Sequence, residues 1–215
     1  MIDEKKEHWD AVYSRRSVTD VSWYEARPDQ SLALIHASTL EPNDPIIDVG
    51  GGASFLSEAL LDQGYLDLTI VDISAEALEK LRSRLGSRAN AVTLIEQDIT
   101  ALRPARQYAL WHDRAVFHFL VDAEQRDRYR DALRHALQLN GNLVIATFGP
   151  DGPERCSGLP VRRYDVASLS AELGKDFKLV ESSLVAHQTP SGASQQFLYC
   201  RFRHAAPDCH STTLK

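Results

Sequence analysis

The sequence lacks any apolar run near the roughly 20 residues that a membrane-spanning helix needs. Its first ten residues, MIDEKKEHWD, carry early acids and no apolar core, so no secretory leader is expected and the cytoplasm is the expected setting. Basic charge is not in excess: Lys plus Arg number 24, Asp plus Glu 30, and the net charge is -6. That balance argues against non-specific binding to nucleic acid or to an anionic membrane. Cysteine is scarce, with Cys156, Cys200 and Cys209 widely spaced and no C-x-x-C. A disulfide framework or a metal site is therefore not expected, and a reducing compartment suits the chain. Internal repeats and low-complexity linkers are also missing. What remains is an ordinary globular composition, 43% hydrophobic and 25% charged over 215 residues.

From about residue 45 short apolar runs alternate with amphipathic stretches. Strands are predicted at 45–49, 68–71, 91–95, 108–111 and 142–148, with helices at 54–63, 74–85, 122–139 and 165–173 between and after them. Ser74 reads as an N-cap, Asp122 with Gln125 as a capping box, and Asn140-Gly141 as the end of the helix before. Two further β runs, 177–187 and 195–203, flank a Pro190/Gly192 turn and predict a hairpin. Five strands joined through helices imply an α/β, doubly wound and mostly parallel sheet, and the hairpin adds an antiparallel last strand. Residues 1–40 precede this core and hold Trp9, Tyr13, Trp23 and Tyr24. The tail from 205 is polar and expected to be flexible.

The main chemical signal is Asp48-Val49-Gly50-Gly51-Gly52-Ala53-Ser54, where the first strand turns into a helix. Glycine there lets the backbone come close to a ligand. Asp72 ends the next strand 24 residues after Asp48, where an acid can accept from ribose hydroxyls. Asp98 lies beyond the third strand, within reach of an adenine amine. A dinucleotide fingerprint is missing, because the sixth position from Gly50 is Phe55. The Gly-Lys-Ser/Thr end of a P-loop is missing too.

On these residues the chain resembles the class I S-adenosylmethionine-dependent methyltransferases, from about Asp44 to Phe202. The matching segments are Asp48 to Gly52, Val71-Asp72-Ile73-Ser74 and Gln97-Asp98-Ile99, with Ser54 standing where the motif has a last glycine. The resemblance implies a seven-stranded Rossmann-like methyltransferase fold under an N-terminal helical lid. It also implies S-adenosylmethionine as cofactor, with Gly50 and Gly52 at its amino-acid end, Asp72 on the ribose, and Asp98 and Ile99 beside the base. Asp48, Ser54, Ile73 and His112 join the cofactor set. His8 to Tyr13 and Val21 to Tyr24 look like the lid of the thiopurine and thiol methyltransferases. Trp9, Tyr13 and Trp23 would offer aromatic faces to a sulfonium cation; the bland alternative is that they anchor a packing helix.

The resemblance also places Trp111 to Leu120 beside the transferable methyl group. His118 then reads as a general base or an acceptor-orienting group, or as a hydrogen-bonded core histidine. Asp113 reads as a partner for a histidine or for the cofactor's ammonium. Arg114 binds an anionic acceptor or pairs with Asp113. Phe117, Trp23, Tyr24, Arg162 and Tyr164 complete the expected acceptor site. His187 is expected at the same mouth, and Arg201 and Arg203 on a solvated face. The lid and the length favour a small-molecule acceptor, a thiol slightly ahead. A protein lysine and a non-catalytic cofactor-binding module are the alternatives. One domain is expected over 1–204.

Overall fold

The structure, a computed structural model, describes residues 2–205. The expected flexible tail therefore lies, from residue 206 on, outside the described residues, as does Cys209. In chain order the elements are α1 (Ile2–Arg15), α2 (Asp29–His36), β1 (Ile46–Val49), α3 (Leu56–Asp62), β2 (Leu68–Asp72), α4 (Ala75–Leu85), β3 (Val92–Glu96) and β4 (Tyr108–Arg114). They continue with α5 (Ala123–Ala136), β5 (Leu137–Phe148), a short ribbon of β6 (Arg155–Cys156) and β7 (Leu159–Pro160), α6 (Val166–Leu173), β8 (Phe177–Gln188) and β9 (Ser194–His204).

Seven strands form one sheet in the order β3-β2-β1-β4-β5-β9-β8. The first five run parallel, and β9 enters antiparallel between β5 and β8. Every residue of β1 and β2 is buried, as expected for strands covered on both faces. One face packs Leu32, Leu56, Leu60, Leu78 and Leu81 from α2, α3 and α4. The other packs Tyr129, Leu133, Leu169 and Leu173 from α5 and α6. The strand order reverses between β1 and β4, so a crevice opens at their carboxyl ends. No described helix is long and apolar enough to cross a membrane.

Some local expectations fail for identifiable reasons. Ser74 does cap α4, its hydroxyl accepting from Ala77 N–H at 3.2 Å. Asp122 makes no side-chain cap bond, and Gln125 accepts from the Lys5 ammonium of α1 at 2.9 Å rather than closing a capping box. Asn140-Gly141 lies inside β5 rather than at a helix end. The register there jumps from Leu137 opposite Tyr108 to Asn142 opposite Leu110, with Asn140 at φ 63. Arg201 is buried, donating to Glu181 at 2.6 Å and to Asn142 at 3.1 Å, and so leaves the solvated face that strand alternation predicted.

Candidate active site

Gly50 follows β1 at φ 70, a conformation that suits glycine. A Cβ there would sit 2.2 Å from Val116 Cγ2, so the glycine loop and the loop after β4 touch. At Gly52 a Cβ would meet Ala77 at 2.8 Å and Asp72 Oδ2 at 2.9 Å. The bare backbone lets Gly52 N–H donate to Asp72 Oδ2 at 3.0 Å, while Ser74 N–H donates to Oδ1 at 2.9 Å. Burial still dominates and pushes the Asp72 carboxyl up to about 6. Asp98 turns one oxygen to Thr100 N–H (2.7 Å) and hydroxyl (2.8 Å), which fixes the carboxylate at the rim.

α1 lies across this crevice. Its Asp10 accepts from the Ser74 hydroxyl at 2.6 Å, so a chain of hydrogen bonds runs from the lid through Ser74 to Asp72. Trp9 stacks near Tyr13 (6.2 Å) and meets Trp23 (5.6 Å) and Phe119 (5.1 Å) edge-on. These aromatics both pack on one another and line the cleft, so the lid and anchor readings describe one arrangement. Asp10→Ala, at a partly exposed position outside the core, should raise the cofactor KM about tenfold, the scale of one charge-assisted hydrogen bond. The fold should be kept. Steady-state kinetics check this; an unchanged KM would detach α1 from cofactor binding.

β4 continues through Arg114, three residues beyond its predicted end. Side chains alternate across a strand, and this splits the polar cluster of Trp111 to Leu120. Asp113 enters the α5 face, fully buried, accepting from the Tyr129 hydroxyl at 2.7 Å and from the Val116 and Phe117 N–H groups at 3.0 and 3.3 Å. Burial pushes its carboxyl up to about 6. It makes no bond to Arg114 and does not itself line the cleft. Arg114 turns the other way and pairs with Glu25 at 3.0 Å, donates to Tyr199 (2.8 Å) and to Trp23 O (2.8 Å), and covers the Phe197 ring. His112, on the same face as Arg114, lies 2.7 Å from Asp48 and 2.9 Å from Ser31.

His118 is fully buried among Phe119, Phe148 and Phe197. Its Nδ1 accepts from Phe148 N–H at 3.2 Å, and burial holds its pKa down to about 3. It lines no part of the cleft, which removes it as a general base. Phe117 and Tyr164 meet at a tilt, their ring centroids 5.6 Å apart, in the α5-side core, and Arg162 pairs with Glu172 at 3.5 Å. None of the three lines the cleft, so the expected acceptor site is not built from them. Tyr24 does line it, edge-on to Phe55. His187 holds Ser22 O at 2.8 Å beneath the lid segment.

The cleft has two lobes. One encloses about 800 Å³ of empty space, its open mouth included, and is lined by Trp9, Tyr13, Asp72, Ile73, Asp98 and Ile99, among others. The second, about 530 Å³, is lined by Tyr24, Ser31, Asp48, Gly51, Ser54 and His112, among others. Trp23, Val49, Gly50 and Arg114 border both. Two acids, an aromatic wall and a junction at the glycine loop fit a nucleoside in the first lobe and an amino-acid chain in the second. Buried Asp48 Oδ2 has no hydrogen-bond partner, which leaves an acceptor for a cationic donor. Sequence reasoning missed Lys5, Glu25, Ser31 and Cys156 as lining residues. Cys156 carried a signal, its place in the loop after β5, but the others are brought in by tertiary packing alone.

Residues 46–141 match the methyltransferase domain family. They hold β1 to β4 and the glycine loop, the part of a methyltransferase domain that builds the cleft, and S-adenosylmethionine is its cofactor. Over 221 aligned residues the chain is 25% identical to the eEF1A lysine and N-terminal methyltransferase of Mus musculus, covering 94% of this chain and 31% of that protein. The chain thus spans about a third of the length of this curated relative. A structure solved in work on the conversion of a disulfide bond into a thioacetal group during echinomycin biosynthesis superimposes with a TM-score of 0.75 at 16% identity, over 93% of this chain and 91% of that one. The N-methyltransferase NodS of Bradyrhizobium japonicum WM9, in complex with S-adenosylhomocysteine, does so at 0.68 and 17% identity, over 92% and 98%. Both likenesses concern the fold.

Proposed function

We propose that this enzyme methylates a protein, on a lysine side chain. The observation that carries this reading is the alignment of nearly the whole chain with a relative named for lysine and N-terminal methylation. The small thiol acceptor expected from the tryptophan lid gives way to it, because the lid aromatics are accounted for by the cofactor cleft.

When bound, the cofactor supplies an already activated methyl group on a sulfonium, so the protein's task is orientation and a dry site. Asp72 would hold the ribose, Asp98 the adenine amine, and Trp9, Tyr13 and Trp23 the face of the cation. Arg114, at the junction of the lobes, is placed to meet a carboxylate of the amino-acid end. Asp113 and His118 act as positioning residues: Asp113 shapes the loop carrying Val116 and Phe119 into the cleft, and His118 fastens that loop to β5. Trp23 and Arg114 border the junction, and Ala115 and Cys156 line the first lobe beside it. Burial pushes the Cys156 thiol up to about 11, so it is no base at neutral pH. A lysine therefore reaches the site as its neutral amine.

The test is incubation with methyl-tritiated cofactor, a cell lysate and, separately, a panel of small thiols and amines. Label should enter protein and emerge as methyl-lysine after hydrolysis. Activity on the purified substrate should rise about tenfold per pH unit below the lysine pKa of roughly 10.4. Label confined to small thiols, or an inflection near pH 6.5 that His118→Gln abolishes, would overturn the reading.

A further inference from the structure

Arg114 ends β4 at the junction of the two lobes, and its side chain is only 10% exposed. A guanidinium carries five N–H donors in a fixed fork. Nε donates to the Tyr199 hydroxyl and Nη1 to Trp23 O, each at 2.8 Å. Nη2 is buried and donates to nothing. It has a charge partner all the same: Glu25 Oε1 stands 3.0 Å away, outside hydrogen-bonding alignment. The other contacts of that carboxylate are loose. The Tyr199 hydroxyl donates to Oε1 at 3.4 Å, and His187 Nδ1 lies 3.8 Å from it. His187 already donates from Nε2 to Ser22 O, so its neutral ring has no second proton to offer. Glu25 is thus held on Arg114 by charge rather than by directional bonds.

Glu25 comes from the irregular segment between α1 and α2 and lines the second lobe, the one that suits an amino-acid chain. A buried guanidinium without a counter-charge is costly, and Glu25 supplies that charge from within the chain. A cofactor carboxylate reaching Arg114 brings a second negative charge to the same guanidinium. Two carboxylates side by side repel, and the newcomer takes the unused N–H groups of Nη2 in line, which Glu25 does not. We propose that Glu25 is a built-in competitor for the cofactor's carboxylate. It keeps Arg114 paired before the cofactor arrives, and it weakens cofactor binding because it must give that side chain up. This rests on Arg114 meeting the carboxylate, and the experiment separates the two.

Affinities of three compounds are measured by calorimetry: S-adenosylhomocysteine, its analogue lacking the α-carboxylate, and 5′-methylthioadenosine. Glu25→Gln should raise the preference for S-adenosylhomocysteine over the decarboxylated analogue about tenfold above that of wild type, the scale of one charge-assisted contact no longer competed for. Affinity for 5′-methylthioadenosine, which has no amino-acid end, should stay the same. A residue that merely shaped the cleft would weaken the compounds alike and leave the preference where it was. Glu25→Asp, whose shorter side chain draws the carboxylate back from Nη2, should raise the preference about threefold and serves where the Gln variant does not fold. Arg114→Met combined with Glu25→Gln leaves no charge unpaired and should cut the preference to about twofold or less. A folded Glu25→Gln or Glu25→Asp protein whose preference fails to rise overturns the competition. A double variant that keeps the preference, or its absence from wild type and Glu25→Gln alike, overturns the Arg114 contact and the proposal with it. Failure of wild type to bind 5′-methylthioadenosine overturns the cofactor assignment, and with it the proposal.

Discussion

Asp72→Asn should bind S-adenosylmethionine at least about 100-fold more weakly than wild type, because two hydroxyl contacts to an ionised carboxylate, each worth about 1.5–3 kcal/mol, become contacts to a neutral amide. In wild type the same carboxylate, pushed up to about 6 by burial, must be ionised to serve. Cofactor affinity should therefore fall about tenfold per pH unit below that value, and this slope should vanish in the variant. The sign for stability is the opposite. A carboxyl raised above its unfolded value contributes stability that is present below about pH 4 and lost as pH rises through about 6. The loss is on the order of 3 kcal/mol for a shift of about two pKa units. Asn carries no such charge, so the variant's denaturation midpoint at pH 8 should equal or exceed that of wild type, even after losing one accepted N–H bond. Calorimetric binding and urea denaturation at pH 5 and 8 read both effects. Wild-type affinity in the variant would refute the assignment of Asp72 to the ribose.

Tyr129→Phe should lower stability by about 2–4 kcal/mol at pH 8, since two buried groups lose their partner at once. The Tyr129 hydroxyl accepts from Trp111 Nε1–H at 2.9 Å and donates to Asp113 Oδ2 at 2.7 Å. Without it Asp113 keeps only the two backbone donors of the loop after β4, and its carboxyl rises further. Asp113 is itself raised to about 6, so its contribution is present at low pH and lost through that value. The destabilisation should accordingly shrink at pH 5, where Asp113 is protonated. Because Val116 and Phe119 ride on this loop and line the cleft, the cofactor KM should also rise. Equal stability of variant and wild type at pH 8 would show that Asp113 is satisfied without Tyr129.

Local chemistry made the cofactor half of the site legible. The Asp48 to Gly52 turn, Asp72 and Asp98 each sit at a strand end, so their place follows from strand length and the parallel crossover rule alone. Trp9 and Tyr13 lie one helical turn apart and share a face of α1, which is also a matter of local period. Asp10 was readable as part of the same segment, but its purpose was not: it caps α4 through Ser74, 64 residues away.

The polar cluster after Trp111 shows why the acceptor half was misread. A strand three residues longer than predicted sends Asp113 and Arg114 to opposite faces of the sheet. Adjacent letters in the chain thereby become members of different cores. His118 fell into an aromatic core and lost its access to protons, while Arg114 found Glu25, 89 residues earlier in the chain, rather than its neighbour.

The order of strands and helices, the glycine turn and the acids at the strand ends came from the sequence by itself, because backbone sterics and hydrophobic period act over a few residues. Which of the polar side chains reach the cleft, and that Ser31, His112 and Asp48 form one buried relay, was decided only by tertiary structure. Those contacts join α2, β4 and β1, and their energies depend on burial and partners that no single segment contains.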